Sequence, residues 1–203
     1  MSDLLISLLC AYILGSIPTS FIFARLLKRI DIRDHGSGNV GATNVFRVIG
    51  KVPAIIVLVL DMLKGTVSVA VLPLFFFNDP INSMMGMERY KILLGIFAIC
   101  GHIFSIFLKF KGGKGVATTA GVLIALMPEL FAVSALIWIC IFAIFRIVSV
   151  ASIAASIFLP ILAIIFHRSV YLILFCVIIC IVGTYKHRSN IQRLIRGEEN
   201  KLF

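Results

Sequence analysis

Apolar runs of membrane-spanning length follow one another along almost the whole chain, separated by short polar segments. A helix needs about 20 apolar residues to cross a hydrocarbon core of roughly 30 Å. Charged residues make up only 14% of the chain, whereas soluble domains contain about 25%. We therefore predict an all-α integral membrane protein that forms a single polytopic domain over residues 1–203. The candidate spans are Leu4–Ala24, Val52–Phe76, Ile92–Leu108, Val116–Met127, Leu130–Phe145, Val150–Phe166 and Val170–Tyr185.

The segment Val116–Met127 decides the number of crossings, because its 12 residues extend only about 18 Å as a helix. It either crosses alone, giving seven spans, or continues through Pro128 as one kinked helix, giving six. Seven spans place 15 Lys and Arg residues on one side and three on the other, whereas six place ten and eight. Six spans would also bury Glu129 near the bilayer centre. The positive-inside rule therefore predicts seven spans, with the N-terminus outside and the C-terminus in the cytoplasm.

The short fourth span has a consequence for the loop before it, Lys111–Gly115. This loop is expected to lie below the membrane surface, where irregular backbone must be satisfied by protein or by a water-filled cavity. A recessed polar active site on the cytoplasmic side follows. In the second span, Asp61 and Lys64 are three residues apart and are expected to form an ion pair on one helix face. The alternative for this pair is a supporting role near the site.

The first polar segment of note is His35–Arg47, which contains three glycines interleaved with polar residues. Glycine permits positive φ angles, and consecutive backbone N–H groups can then form a concave site for an anion. The glycines also spell G-x-G-x-x-G, but no strand precedes them, which argues against a dinucleotide site. We interpret the segment as an anion-binding loop rather than a plain connector.

The second polar segment, Lys109–Thr119, places a Gly-Gly-Lys-Gly turn before a helix. A helix N-terminus offers free N–H groups and a positive dipole, and the lysine adds a charge, so phosphate is the expected ligand. The segment is not a Walker A loop, because Leu108 stands where its first glycine is required and Gly115 replaces its Ser or Thr. ATP hydrolysis is therefore not expected.

The third polar segment, His187–Glu199, follows the last span. On a continuing helix, His187, Asn190 and Arg193 would share one face. A weaker polar feature is the turn at 146–152, where Ser149 by itself is expected to cap a helix. All these segments fall on the predicted cytoplasmic side, where clustered Arg and Lys suit phosphates.

Several classes of function are disfavoured by what these segments lack. Aromatic side chains are not interleaved with the cations, so nucleic acid is not an expected partner. Few carboxylates are available for a metal, no G-x-S-x-G elbow surrounds Ser37, and no cofactor is expected. Catalysis would rest on positioning and charge stabilisation of an already activated substrate. The alternative is a transporter for a phosphorylated anion, although an inverted repeat is not evident.

Together, the segments Gly36–Asn44, Lys111–Thr118 and His187–Glu199 closely resemble the three motifs of the bacterial acyl-phosphate:glycerol-3-phosphate acyltransferases, the PlsY family. The resemblance extends to chain length, motif order, span number and sidedness. It implies transfer of a fatty acyl group from acyl phosphate to the 1-hydroxyl of glycerol 3-phosphate, giving lysophosphatidic acid and phosphate. This is the first step of phospholipid biosynthesis, in contact with lipid in the bacterial inner (plasma) membrane.

The resemblance also implies roles for individual residues. Ser37 and Arg47 would be essential in the first motif, Lys114 would help to bind phosphate, and His187 and Asn190 would hold glycerol 3-phosphate. The remaining expected substrate-binding residues of the first two motifs are Gly38, Asn39, Gly41, Thr43, Asn44, Gly112, Gly113 and Gly115.

Two further expectations concern the end of the chain and the mechanism. Glu199 would have a structural role, and Ser152 is preferred over Ser149 for an additional substrate contact. We hypothesise direct attack by the hydroxyl on the acyl phosphate, without a covalent intermediate. The hydroxyl proton would pass to a substrate phosphate or to His187.

Overall fold

A computed structural model describes residues 2–77 and 84–202, and these residues are predominantly helical. They divide into two compact units, Met1–Leu126 and Met127–Phe203. The interpretation of residues 1–203 as one domain stays a prediction.

The first unit begins with one broken span. The first predicted span is interrupted at Ile17 and Pro18, since proline lacks the N–H that would continue the helix. A short 3₁₀ turn, Ile32–Asp34, precedes the first motif. Another, Ile106–Leu108, precedes the second motif. The α-helices of this unit are α1 (Ser2–Ser16), α2 (Thr19–Lys28), α3 (Ala42–Val48), α4 (Lys51–Ala70), α5 (Leu72–Phe76), α6 (Met87–Ile103) and α7 (Val116–Leu126).

Glycines allow the main helices of the first unit to approach one another closely. Helix α4 packs along α7, and α1 packs along α6. A Cβ atom on Gly65 would overlap the carbonyl of Thr118, and one on Gly121 would overlap the carbonyl of Met62. Small residues at helix crossings are typical of membrane proteins, where close packing replaces the hydrophobic effect as the force between helices. The position of α7, which follows the second motif, is therefore set by backbone contact with α4.

The second unit consists of antiparallel helices joined by short turns. Helix α9 (Val148–Ile165) packs against both α8 (Pro128–Phe145) and α10 (Val170–Lys186). Glu129 forms an ion pair with Arg168 at the end of the unit opposite to the third motif. After α10 the chain bends by 56° into α11 (Arg188–Ile195). The sequence suggested that the third motif continues the last span as a straight helix. The bend shows that it does not.

The helices have the length and surface of membrane spans. Within residues 2–77 and 84–202, five helical segments are long and apolar enough to cross a bilayer, and the bent pair α10–α11 makes a sixth if it is counted as one span. Helix α7 is apolar but has only 11 residues. Large apolar side chains are exposed along these helices, which suits lipid rather than water. The prediction of an all-α integral membrane protein is confirmed.

Candidate active site

The loop that carries the first motif begins at a fixed turn. The side chain of Asp31 accepts hydrogen bonds from the backbone N–H of Arg33, at 3.0 Å, and from its guanidinium Nη2, at 2.6 Å. The hydrogen bond from the Arg33 side chain is the largest cause that lowers the pKa of Asp31 to about 2. This carboxylate therefore stays ionised at physiological pH and fixes the entry to the motif.

The side chain of Asn44 stabilises the conformation of the first-motif loop by hydrogen bonds to its backbone. Its side-chain oxygen accepts the N–H of Ser37 at 2.9 Å, and its amide nitrogen donates to the carbonyls of Ile32 at 3.2 Å and His35 at 3.0 Å. The residue is buried at the start of α3. A Cβ atom on Gly36, which has a φ of +60°, would overlap the Asn44 side chain. Asn44 thus binds the loop itself, and its predicted contact with substrate stays a prediction.

Several backbone N–H groups that the sequence assigned to an anion are engaged inside the protein. In the first motif, the N–H of Gly38 donates to the His35 carbonyl at 3.0 Å and that of Gly41 to Asn39 at 3.2 Å. In the second motif, the N–H groups of Gly112 and Gly113 donate to carbonyls of α6. These four N–H groups are therefore not free, and the predicted contact of these glycines with substrate stays a prediction. Their physical role is to permit tight turns and close packing.

The second motif lies directly on the end of α6. Gly112 donates to the carbonyl of Ile103 at 3.1 Å, and Gly113 donates to the carbonyl of His102 at 3.0 Å. A Cβ atom on Gly112 would overlap the same His102 carbonyl. Gly115, with a φ of +85°, then turns the chain into α7. The turn that presents Lys114 is thus docked on backbone rather than suspended in solvent.

Gly113 is also where the first and second motifs meet. A Cβ atom at this position would overlap both the imidazole Nε2 of His102 and the carbonyl of Val40, which belongs to the first motif. Val40 itself is buried with Leu108, Ile32 and Ala24. The structure therefore brings two of the three predicted motifs into contact, within the first unit.

A buried polar network lies beneath this contact. The predicted ion pair is confirmed, with Lys64 Nζ at 2.8 Å from Asp61 Oδ1. Thr19 donates to the same Asp61 oxygen at 2.7 Å, and Lys64 donates to the carbonyl of Ile17 at 3.2 Å. The imidazole Nδ1 of His102 lies 3.8 Å from Asp61 Oδ1. A small cavity beside the network is lined by Thr19, Val40, Lys64, His102, Gly112 and Gly113, among others.

The predicted catalytic residues of the first unit differ in exposure. Ser37 is exposed on the loop, whereas Arg47 is partly buried on α3. Lys114 is partly buried in the turn before α7. Asn44 fixes the backbone of the loop that carries Ser37. Gly113 fixes the turn that carries Lys114.

In the second unit, the third motif begins at a buried histidine. His187 is 4% exposed, and its Nδ1 lies 2.8 Å from the carbonyl of Gly183. A carbonyl only accepts hydrogen bonds, so the proton is on Nδ1 and a neutral His187 carries its lone pair on Nε2. The role of His187 as a proton acceptor stays a prediction.

Glu199 joins two helices of the second unit, α9 and α11. One carboxylate oxygen accepts from Asn190 at 2.6 Å and from Ser149 at 2.8 Å, and the other accepts from Arg193 at 2.6 Å. Burial by itself raises the pKa of Glu199, but these hydrogen bonds and the charge of Arg193 outweigh it and leave the pKa lowered. Gly197, with a φ of +70°, makes the turn that returns Glu199 to this position. The arrangement suits the structural role that the resemblance implies.

The two serines of the first turns of α9 have distinct partners. Ser149 lies inside α9 and donates to Glu199, while Ile147 is the N-cap residue. The prediction that Ser149 caps the helix is therefore wrong. Ser152 is buried and accepts a hydrogen bond from the indole Nε1 of Trp138 at 3.0 Å. The predicted contact of Ser152 with substrate stays a prediction.

A family model described as glycerol-3-phosphate acyltransferase matches residues 5–197 of this chain. The chain belongs to the glycerol-3-phosphate acyltransferase family. It is 42% identical to glycerol-3-phosphate acyltransferase 2 of Moorella thermoacetica over 198 residues, which is 98% of this chain and 97% of that protein. The Bacillus subtilis glycerol-3-phosphate acyltransferase is 40% identical over 195 residues, covering 96% of this chain and 95% of that protein.

Solved structures agree with this assignment. The crystal structure of PlsY, an integral membrane glycerol 3-phosphate acyltransferase, in its glycerol 3-phosphate form superimposes with a TM-score of 0.87 at 37% identity. The match covers 98% of this chain and 94% of that chain. The lysophosphatidic acid form matches with a TM-score of 0.84 at 36% identity. The predicted membership of the PlsY family is confirmed.

Sequence reasoning missed some residues around the motifs of this acyltransferase. Thr19 and His102 complete the network of Asp61, and Trp138 holds Ser152. The signal for His102 was a histidine in an apolar span ten residues before Gly112. Among residues 2–77 and 84–202, His, Cys, Asp and Glu side chains form no group of three or more suited to a metal ion.

Proposed function

We propose that this acyltransferase moves a fatty acyl group from acyl phosphate to the 1-hydroxyl of glycerol 3-phosphate, giving lysophosphatidic acid and phosphate. The observation that carries the proposal is the docking of the second motif on the first at Gly113, because it gives the Lys114 turn and the first-motif loop a common, rigid base. Family membership supports the acceptor. The three motifs, through their resemblance, support the donor.

The proposed reaction needs no covalent intermediate. Acyl phosphate is a mixed anhydride, so the hydroxyl oxygen attacks its carbonyl carbon directly. A new C–O bond forms, the bond from the carbonyl carbon to the phosphate oxygen breaks, and the electron pair leaves with phosphate. Arg47 and Lys114 stabilise the charge that develops on the phosphate, with Ser37 as a further donor.

The third motif has a separate role in this proposal. His187 and Asn190 hold glycerol 3-phosphate, and Ser152 adds a hydrogen bond. The hydroxyl proton passes to the departing phosphate or to Nε2 of His187, whose lone pair is set by the hydrogen bond from Nδ1 to Gly183. Glu199 supports this arrangement by holding Asn190.

We further propose seven spans with the N-terminus outside, the C-terminus inside and a recessed active site facing the cytoplasm, in the plasma membrane. The asymmetric distribution of Lys and Arg and the shortness of α7 support this topology. Labelling of Lys201→Cys and Arg89→Cys by a membrane-impermeant maleimide, in a cysteine-free background, tests it. Intact cells should label position 89 only, and labelling of position 201 would overturn the orientation.

The reaction is tested with purified protein in detergent, supplied with palmitoyl phosphate and radiolabelled glycerol 3-phosphate. We expect equimolar lysophosphatidic acid and phosphate, and no product when palmitoyl-CoA replaces the acyl phosphate. Product from the thioester alone would overturn the donor. Uptake of glycerol 3-phosphate into proteoliposomes without any product would instead favour the transporter.

The absence of a covalent intermediate has its own test. Protein mixed with palmitoyl phosphate but no acceptor should release no burst of phosphate stoichiometric with the protein. A burst that matches the protein concentration, together with an acylated protein mass, would overturn direct transfer.

A further inference from the structure

We propose that Asp61, Lys64 and His102 form a buried positioning network that sets the place of Lys114. The network connects α2, α4 and α6, and through His102 it contacts the Gly112–Gly113 turn. This inference rests on the proposed function, because it assigns Lys114 to the substrate phosphate.

The buried charges of Asp61 and Lys64 carry a cost in hydration. Asp61 is 1% exposed and Lys64 is 7% exposed, on a helix long enough to cross the membrane. Two buried charges lose more hydration than their attraction returns unless further hydrogen bonds satisfy them. A purely structural contact between α2 and α4 would be met as well by two apolar side chains. We therefore infer that the two charges serve to position neighbouring groups.

The ion pair also contacts both sides of the break in the first span. At the break after Ile17, the carbonyl of Ile17 accepts from the backbone N–H of Thr19 at 3.1 Å and from Lys64 Nζ at 3.2 Å. Thr19, on the other side of the break, donates to Asp61. One ion pair on α4 therefore fixes the two halves of the broken span.

His102 connects the ion pair to the second motif. One edge of its imidazole ring, at Nδ1, faces Asp61 at 3.8 Å. The other edge, at Nε2, lies so close to Gly113 that a Cβ atom there would overlap it. The backbone carbonyl of His102 also accepts the N–H of Gly113. His102 therefore contacts Gly113 with both side chain and backbone, and Lys114 is the next residue.

The network is tested by replacing the ion pair with apolar residues of similar size, in the double variant Asp61→Leu/Lys64→Met. Removing both charges together avoids an unpaired buried ion, so the thermal unfolding temperature should fall less than in either single variant. We expect kcat/KM for acyl phosphate to fall about 100-fold, as for a displacement of about 1 Å of a positioning group. A double variant with wild-type unfolding temperature and wild-type kcat/KM would overturn the proposal.

A second variant, His102→Phe, keeps a ring against Gly113 but removes the nitrogen that faces Asp61. It should fold as the wild type does and lower kcat/KM for acyl phosphate at least tenfold. Unchanged kinetics in this variant would show that the ring does not transmit the position of Asp61. Glu129→Gln is the control, because it breaks an ion pair in the second unit and should leave kcat/KM unchanged.

A measurement independent of turnover separates this proposal from the proposed function. The rate at which an amine-reactive reagent modifies Lys114 is followed by mass spectrometry, with the exposed Lys201 as internal reference. We expect the ratio of the two rates to change severalfold in Asp61→Leu/Lys64→Met and in His102→Phe. An unchanged ratio would overturn the positioning network even if the wild-type protein proved inactive on acyl phosphate.

Discussion

Replacement of Glu199 by Gln is the sharpest single test of the third motif. The substitution keeps the size of the side chain but places an amide group where one oxygen now accepts from Arg193. Two donors would then face each other, and the bonds from Asn190 and Ser149 would lose a charged acceptor. Hydrogen bonds to charged groups contribute about 1.5–3 kcal/mol, against about 0.5–1.5 kcal/mol for neutral pairs. With allowance for the partial exposure of Arg193, we expect a loss of about 2–4 kcal/mol.

The loss can be measured by thermal unfolding followed through intrinsic fluorescence. Trp138 is the sole tryptophan and lies in the same unit as Glu199, bonded to Ser152. For a chain of this size, the expected loss corresponds to a decrease in Tm of roughly 4–16 °C. Glu198→Gln is the matched control, because this exposed neighbour should leave Tm unchanged.

The pH dependence adds a second arm to the same experiment. Because the folded-state pKa of Glu199 is lowered, its contribution to stability is complete above the pKa of the unfolded chain. It is lost as the pH falls through the folded-state pKa. The difference in Tm between wild type and Glu199→Gln should therefore shrink toward acidic pH. Equal Tm values at neutral pH, or a difference that grows on acidification, would refute the reasoning.

The remaining predictions concern the other motifs. Arg47→Ala and Lys114→Ala should each lower kcat at least 100-fold, because each removes a preorganised charge, whereas Lys201→Ala should be silent in the same phosphate-release assay. His187→Ala should abolish the acidic limb of the pH profile of kcat/KM, and normal turnover at saturating substrate would exclude this residue as the base. Gly121→Ala should cost about 1–3 kcal/mol in thermal unfolding, because its Cβ would meet the backbone of α4, and an unchanged Tm would contradict the close packing described here.

Much of the fold could be predicted from the sequence, because lipid imposes a simple rule of length and polarity on each span. The ion pair of Asp61 and Lys64 followed from helical spacing alone, and the structure confirms it. The family could be recognised because three long motifs occur in order, and the comparisons confirm it. These features depend on local patterns, which a sequence displays directly.

The features that could not be predicted depend on contacts between distant residues. The sequence indicated flexible glycines with free N–H groups, but not that the carbonyls of His102 and Ile103 would accept from Gly112 and Gly113. Ser149 was expected to cap a helix, because nothing local showed that Glu199, fifty residues later, would accept its proton. The local sequence allows several hydrogen-bond partners for such N–H and hydroxyl groups, and the tertiary structure decides which partner each one has.

The internal hydrogen bonds of the first-motif loop bear on the thermodynamics of substrate binding. Ordering one residue of a flexible loop costs about 1–2 kcal/mol of conformational entropy. Because Asn44 and the bonds of Gly38 and Gly41 already fix this loop, that cost belongs to the folding of the protein and not to the capture of a ligand. A preorganised loop retains more of its contact energy as affinity. Substrate binding should therefore show only a small unfavourable entropy from this loop, and its amide protons should exchange slowly before any ligand is added.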